Sequence, residues 1–298
     1  PSDLTAGLEY NRDRLKDNMW GYNRHTDQTV NIYSAFLQNE WKNDRWGILI
    51  GGRLDKHNMV DNVIFSPRAN LRFNPTQNIN LRLSYSSGFR APQAFDEDMH
   101  IENVGGTVAM IERAKDLKEE KSQSFSVSAD MYHRFGAFQT NLLIEGFYTR
   151  LTDVFVLGKP YDRGDGILVK TRSNGPGAKV MGLTLEGKVA YLSILQIQAG
   201  LTLQRSRYDE PHKWHDDAPA EKKIFRTPDT YGYFTATCTP IKPLSIALSG
   251  TYTGRMLVQR MDITAENAEL GKMPERKAEA IRTPRFFDLG VKLALSLI

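Results

Sequence analysis

Two stretches gather residue types that could do chemistry. Pro211 to Asp217, PHKWHDD, sets His212 and His215 three apart beside Asp216 and Asp217, with Trp214 between them. Imidazole and carboxylate at that spacing could hold a transition metal, and an exposed Trp could stack on a flat ligand. An exposed polar loop tip reads the same way, since acidic doublets are common on such loops. In the second stretch Asp96, Glu97 and Asp98 precede His100. Their hard oxygen donors suit a cation, and a solvated histidine without a ligand role is the plainer reading of His100. Elsewhere Ser, His and Asp fall on separate stretches with no nucleophile elbow, so no catalytic residue is assigned and no enzyme is expected. Cys238 is the only cysteine, which leaves no intrachain disulfide and no Cys-based zinc site.

The elements that must carry these stretches read as strands. In Asn78 to Pro92, NINLRLSYSSGFRAP, the residues Ile79, Leu81, Leu83, Tyr85 and Phe89 share one parity, and Asn80, Arg82, Ser84, Ser86 and Arg90 share the other. An extended chain there has one greasy and one wet face. The alternation lasts for about the 9–11 residues that a tilted strand needs to cross a bilayer. It recurs in Trp46 to Asp55, Ser124 to Met131, Asn141 to Thr149, Leu183 to Tyr191, Leu195 to Ser206, Leu244 to Thr253 and Phe287 to Leu297. Asn174 to Gly177 reads as a bulge or kink in the strand that ends at Tyr191, and Thr227 to Cys238 is a strand whose faces the pattern leaves open.

Counted along the chain there are about twelve strands, and their connections sort by length. Short turns at Lys42 to Asp44, Asn74 to Thr76, Gly136 to Ala137, Leu192 to Ser193 and Thr239 to Lys242 alternate with long polar loops. The long loops are placed at 13–28, 91–119, 152–165, 209–226 and 255–283, with a short helical piece at Met110 to Leu117. That asymmetry and the aromatic residues near strand ends, Trp41, Trp46, Tyr85, Phe89, Tyr191, Tyr231, Tyr233 and Tyr252, fit a transmembrane antiparallel β-barrel of the all-β class with interfacial girdles. A soluble all-β protein with ordinary core alternation is the competing reading. No run of about 18 apolar residues exists, which excludes a transmembrane helix; a barrel escapes that test because every second residue faces a polar lumen. The net charge of +4 is scattered without a basic stripe, so nucleic acid is not expected as a partner.

Ser86 to Pro92, SSGFRAP, resembles the FRAP box of TonB-dependent outer-membrane receptors, carried here by Phe89, Arg90, Ala91 and Pro92. Lys115 to Ser122, KDLKEEKS, is similar to a diverged form of a second box of that family. Phe147 to Val156, Val180 to Glu186 and Arg226 to Gly232 extend the resemblance over nearly the whole chain. It implies the C-terminal portion of a 22-stranded barrel, roughly strands eleven to twenty-two. The plug domain and TonB-interacting segment would lie upstream of Pro1, whose lack of an initiator Met marks a mature or truncated form. Ile298 stands where the family usually ends in an aromatic residue. The resemblance further implies a receptor in the outer membrane of a Gram-negative bacterium, taking up a scarce ligand driven by TonB and the proton-motive force. Its implied partners are TonB, outer-membrane lipid, the small-molecule ligand and a surface lipoprotein; no cofactor is bound permanently. Haem or a ferric siderophore is the favoured ligand, because a histidine in the interval holding His100 is an axial ligand in the haem-receptor branch. Cobalamin or a glycan competes, as does a self-contained porin or adhesin barrel.

Overall fold

The computed structural model describes residues 1–94, 102–104, 107–214, 218–263 and 276–296, and in them the chain is almost entirely antiparallel strand. β1 (Ser2–Met19) turns through a 3-10 turn at Trp20–Tyr22 into β2 (Arg24–Lys42), followed by β3 (Trp46–His57), β4 (Ile64–Thr76) and β5 (Ile79–Arg90). Next come β6 (Glu102–Val104), β7 (Thr107–Arg113), β8 (Glu120–Phe135), β9 (Phe138–Thr152), β10 (Phe155–Leu157), β11 (Tyr161–Asp162) and β12 (Leu168–Asn174). The chain continues through β13 (Ala178–Tyr191), β14 (Leu195–His212), β15 (Glu221–Lys223), β16 (Thr230–Ile241) and β17 (Leu244–Thr253). It ends with β18 (Leu257–Ile263), β19 (Arg276–Arg282) and β20 (Phe286–Leu295).

One sheet of 13 strands forms a wall in the order β1-β2-β3-β4-β5-β8-β9-β13-β14-β16-β17-β20, with β15 on β14. Its ladders settle which side chains share a face. Directly opposite one another across successive strands lie Trp46, Phe73, Leu81, Ala129, Ile144, Leu185, Leu201, Gly232, Tyr252 and Phe287. One residue along, on the other face, run Arg72, Arg82, Ser128, Glu145, Thr184, Thr202, Tyr231 and Thr253. A sheet greasy on one face and polar on the other is the wall of a membrane barrel seen strand by strand. Among the described residues no second layer packs on the greasy side: Leu83, Val127, Leu183 and Leu203 are about half exposed. The barrel is not closed: among the described residues β1 pairs only with β2 and β20 only with β17.

The connections behave as the length pattern requires. At one rim β2–β3, β4–β5, β8–β9, β13–β14 and β16–β17 are joined by two or three residues, with Asn43 Oδ1 accepting the Arg45 and Trp46 amides and Gly136 taking φ 55°. All long connections lie at the opposite rim. Aromatic pairs mark the edges of the apolar band: Trp46 stacks on Phe73 with ring centroids 4.3 Å apart, and Tyr85 meets Phe125 at 4.8 Å.

Several expectations need correcting. Most of 13–28 is strand, β1 and β2 zipping up as far as Met19 and Arg24; both faces of that ribbon carry polar residues, so it shows no period of 2. The helical piece at Met110 to Leu117 is instead the end of β7 and a turn. β7 pairs in parallel with β12, a partner far along the chain that local pattern cannot reveal. The segments 91–119, 152–165 and 209–226 likewise hold short strands, and 255–283 holds the β18–β19 hairpin. Asn174 to Gly177 is the passage between sheets, where the chain leaves β12 and enters the wall as β13. Tyr231 and Tyr233 face inward and belong to no girdle. Tyr233 lies over Gly200, where an added Cβ would come 2.6 Å from its ring.

The deepest burial is at the long-loop rim. A five-stranded sheet in the order β10-β12-β7-β6, with β11 on β12, folds there out of the β5–β8 and β9–β13 connections. Met110, Val169 and Ala178 are 0–1% exposed. The sheet is tied to the wall by the Phe155 amide donating to Glu120 Oε2 at 2.8 Å and the Lys118 amide donating to Asn174 Oδ1 at 2.8 Å.

Candidate functional site at the long-loop rim

The Phe89–Pro92 box sits where β5 runs out. Phe89 and Arg90 are the last rungs against Lys121 and Glu120 of β8, and Pro92, lacking an amide hydrogen, cannot extend the ladder. Four contacts then hold the departing chain. The Arg90 guanidinium lies 5.5 Å over the Phe155 ring, and Arg113 Nη1 donates to the Pro92 carbonyl at 2.8 Å. The Ala94 amide donates to Gln28 Oε1 at 2.8 Å, and Gln93 Oε1 meets His57 Nε2 at 3.2 Å. His57 is fully buried, and its Nδ1 accepts the Met59 amide at 3.0 Å. Nε2 therefore carries the proton of the neutral ring and donates to Gln93. The box thus locks β2, β3, β7 and β10 to one point of the rim.

Beside it opens a recess of about 650 Å³. Arg24 and His25 come from the start of β2, Pro92 and Ala94 from the box, Glu112, Arg113 and Lys115 from β7 and the turn after it, and Arg163 from the loop after β11. The lining carries four basic side chains and the carboxylate of Glu112, and the adjoining Asp17 and Asp165 offset two of the four. Two further carboxylates orient its arginines: Arg24 bonds Asp17 at 2.8 Å, and Arg163 bonds Asp165 through Nε at 3.1 Å and Nη2 at 2.5 Å. That hydrogen bond with Arg163 holds the Asp165 carboxyl below its ordinary pKa. A concave wall of cations at the mouth of a barrel attracts an anion and concentrates it there.

Facing the lumen, two polar clusters cross the strands. Arg53 reaches Glu9 at 2.9 Å, Asp55 at 2.8 Å and Ser34 at 2.8 Å, joining β1, β2 and β3. Tyr233 donates to Glu186 at 2.5 Å and accepts from Gln198 at 2.6 Å, with Lys188 3.2 Å from Glu186. These brace the wall and make the inner surface wettable. The ladders put Arg53, Arg72, Arg82, Glu145, Glu186 and Lys188 on this lumen-facing side.

Of the residues singled out in sequence, Asp96, Glu97, Asp98, His100, His215, Asp216 and Asp217 lie outside the described residues. His212 ends β14 above the wall, paired with Glu221, its ring 5.8 Å from Tyr208. Burial holds its imidazole below the ordinary pKa. Trp214 is half-buried and meets Phe225 edge-on at 6.4 Å. Among the described residues no three His, Cys, Asp or Glu side chains group as metal ligands. The cations of the recess carry no signal of their own in the sequence, because Arg24 and Arg163 lie far apart along the chain and share no motif. The only local signal was the neighbouring FRAP box.

Comparison with known proteins follows the same lines. The chain matches the family described as "TonB dependent receptor-like, beta-barrel" over residues 1–268. Its fold is similar to that of the siderophore receptor PirA from Acinetobacter baumannii, at 14% identity and a TM-score of 0.67, covering 99% of this chain and 46% of that one. A variant of the ferric enterobactin receptor PfeA from Pseudomonas aeruginosa, solved with enterobactin, aligns at 16% identity and a TM-score of 0.70, covering 100% and 44%. The FrpB iron transporter from Neisseria meningitidis aligns at 12% identity and 0.64, covering 99% and 45%. This chain therefore spans about half the length of the structures it resembles. Among curated proteins there was no match.

Proposed function

The chain belongs to the family of TonB-dependent receptor β-barrels, a family of transport receptors, and from that membership we propose that it walls an outer-membrane receptor for a ferric siderophore. In this reading the long-loop rim faces outward, the cationic recess receives the ligand, and the lumen passes it inward when TonB, drawing on the proton-motive force, acts on the plug. The observation that carries the ligand class is the basic lining of the recess, Arg24, Arg113, Lys115 and Arg163, set against Glu112 and the adjoining Asp17 and Asp165. A ferric complex of catecholates or hydroxamate-carboxylates presents an oxygen-rich, frequently anionic surface, which guanidinium forks and ammonium groups match. Iron enters as cargo and is no resident cofactor. The structures it resembles, siderophore receptors and an iron transporter, support the same class.

Haem through His100 is the second reading, supported by the motif interval alone. One titration separates the readings: the complete receptor is mixed with ferric enterobactin, hemin and cyanocobalamin, following tryptophan quenching and the Soret band. A Kd below about 1 µM for the ferric complex, weakened by added salt, is expected for binding at a cationic rim. Tight cyanocobalamin binding without a response to the ferric complex overturns the proposal. A hemin Soret shift abolished in His100→Ala would move the assignment to haem.

A further inference from the structure

Below the recess, the lumen side of the wall carries cations that the described residues leave unbalanced. On β4 and β5, Arg72 stands directly opposite Arg82, and Arg68 stands opposite Ser86. Like charges that face one another across a ladder repel unless something anionic lies over them. Arg53 and Lys188, on the same side of the wall, are balanced by Glu9 and Asp55 and by Glu186. Arg68 and Arg72 have no such partner: among the described residues neither makes a side-chain hydrogen bond or ion pair, and Arg82 donates Nε to the neutral Asn80 Oδ1 at 2.7 Å. Asp130, opposite Asn80, is held by Tyr132 and Asn141, and Glu145 lies two strands from Arg82 with Ser128 between them.

The backbone lays these groups along the lumen. Gly47 on β3 stands opposite Arg72, and a Cβ there would come 3.0 Å from Arg72 Nε, so the guanidinium lies across β3 in space that a side chain would take. Asn80 Nδ2 donates to Asn74 Oδ1 at 2.7 Å, which fixes the amide that orients Arg82. Four residues separate Arg68 from Arg72 on β4, and four separate Arg90 from Ser86, the residue opposite Arg68; each interval is about 13 Å of extended chain. The β4–β5 hairpin thus carries cations at the long-loop rim with Arg90, partway down with Arg68, and near the short-turn rim with Arg72 and Arg82.

We propose that Arg68, Arg72 and Arg82 are the stations of an anion path down the β4–β5 side of the lumen, which an anionic ferric complex follows from the rim recess toward the short-turn rim. The proposal rests on the siderophore reading and adds to it one side of the barrel and a selection by charge during transit. Anionic oxygens of the complex satisfy each guanidinium in turn. Weak binding at several separated cations lets a bound anion move on, whereas one tight site would hold it. The cargo supplies the negative charge that the facing pair Arg72 and Arg82 lacks.

The test uses the complete receptor in cells that lack other siderophore receptors, with radiolabelled ferric enterobactin as the probe. The triple variant Arg68→Gln, Arg72→Gln, Arg82→Gln should bind the complex at the surface with a Kd within about twofold of the parent, while its maximal uptake rate falls about tenfold. Arg68→Lys, Arg72→Lys, Arg82→Lys keeps the charge and should import within about twofold of the parent. Heat-modifiable migration on cold detergent gels verifies that each variant is folded, and unchanged resistance to vancomycin verifies that the lumen is still plugged. Uptake by the Gln variant at the parent's rate overturns the proposal, as does a failure of the Lys variant to import. Vancomycin sensitivity of the Gln variant also overturns it, since the arginines would then hold the plug. A parent that neither binds nor imports the complex overturns the siderophore reading and this proposal with it, whereas parent binding and import with an undiminished Gln variant overturn this proposal alone.

Discussion

Arg113 shows how one side chain can serve both the scaffold and the site. It fixes the Pro92 carbonyl at 2.8 Å and lines the recess between Glu112 and the turn that carries Lys115. A hydrogen bond from a charged donor contributes about 1.5–3 kcal/mol. Arg113→Ala is therefore expected to loosen residues 91–94, and hydrogen exchange should speed up at the Ala94 amide while the β8–β9 amides stay protected. Lys115→Gln tests the charge of the recess on a residue outside the Pro92 lock. Loss of one exposed cation should weaken an anionic ferric ligand about three- to tenfold at low salt and less at high salt. Unchanged affinity at low ionic strength would mean that the ligand does not touch this recess.

At the scale of the strand, parity decides what a substitution costs. Leu185 sits mid-strand in β13 in the apolar cross-strand row, and Thr184 beside it faces the lumen, its Oγ1 3.0 Å from Thr202 Oγ1. Leu185→Arg should destabilise the folded barrel in vesicles by about 2–4 kcal/mol, the figure for a cation near the bilayer midplane. Thr184→Arg should cost less than about 1 kcal/mol, since the lumen-facing row already carries Arg72, Arg82 and Glu145. Chemical denaturation from lipid reads both. Equal costs would contradict the assignment of faces. The parity of Leu83 against Arg82, or of Leu185 against Thr184, was legible in sequence because lipid and lumen act on alternate residues of one strand. Tyr231 and Tyr233 were not, because Gly232 between them and Thr230, Thr235 and Ala236 around them suit either face, and only the ladder to Thr202 and Gly200 fixes which way they point.

For the whole molecule the open edges matter most. β1 and β20 each leave one side of their backbone unpaired, and the outward residues of β20, Phe287 to Leu295, are 52–70% exposed. Unpaired amides and carbonyls in hydrocarbon cost several kcal/mol each. The chain refolded alone into vesicles is accordingly expected to give no heat-resistant monomer band, and partner strands at both edges should restore one. A stable, protease-resistant monomer from residues 1–298 by themselves would show that the wall can close on itself.

What the sequence determined by itself is the wall: about twelve strands, their faces, the sorting of short and long connections to opposite rims, and a family resemblance that the match over residues 1–268 supports. Those features are local, since a membrane imposes a period of 2 on each strand independently of its neighbours. Tertiary structure alone decided the rim. Its ribbons have water on both faces and so lose their period, β7 meets β12 across a long stretch of chain, and the cations Arg24, Arg113, Lys115 and Arg163 converge only once those non-local pairings have formed.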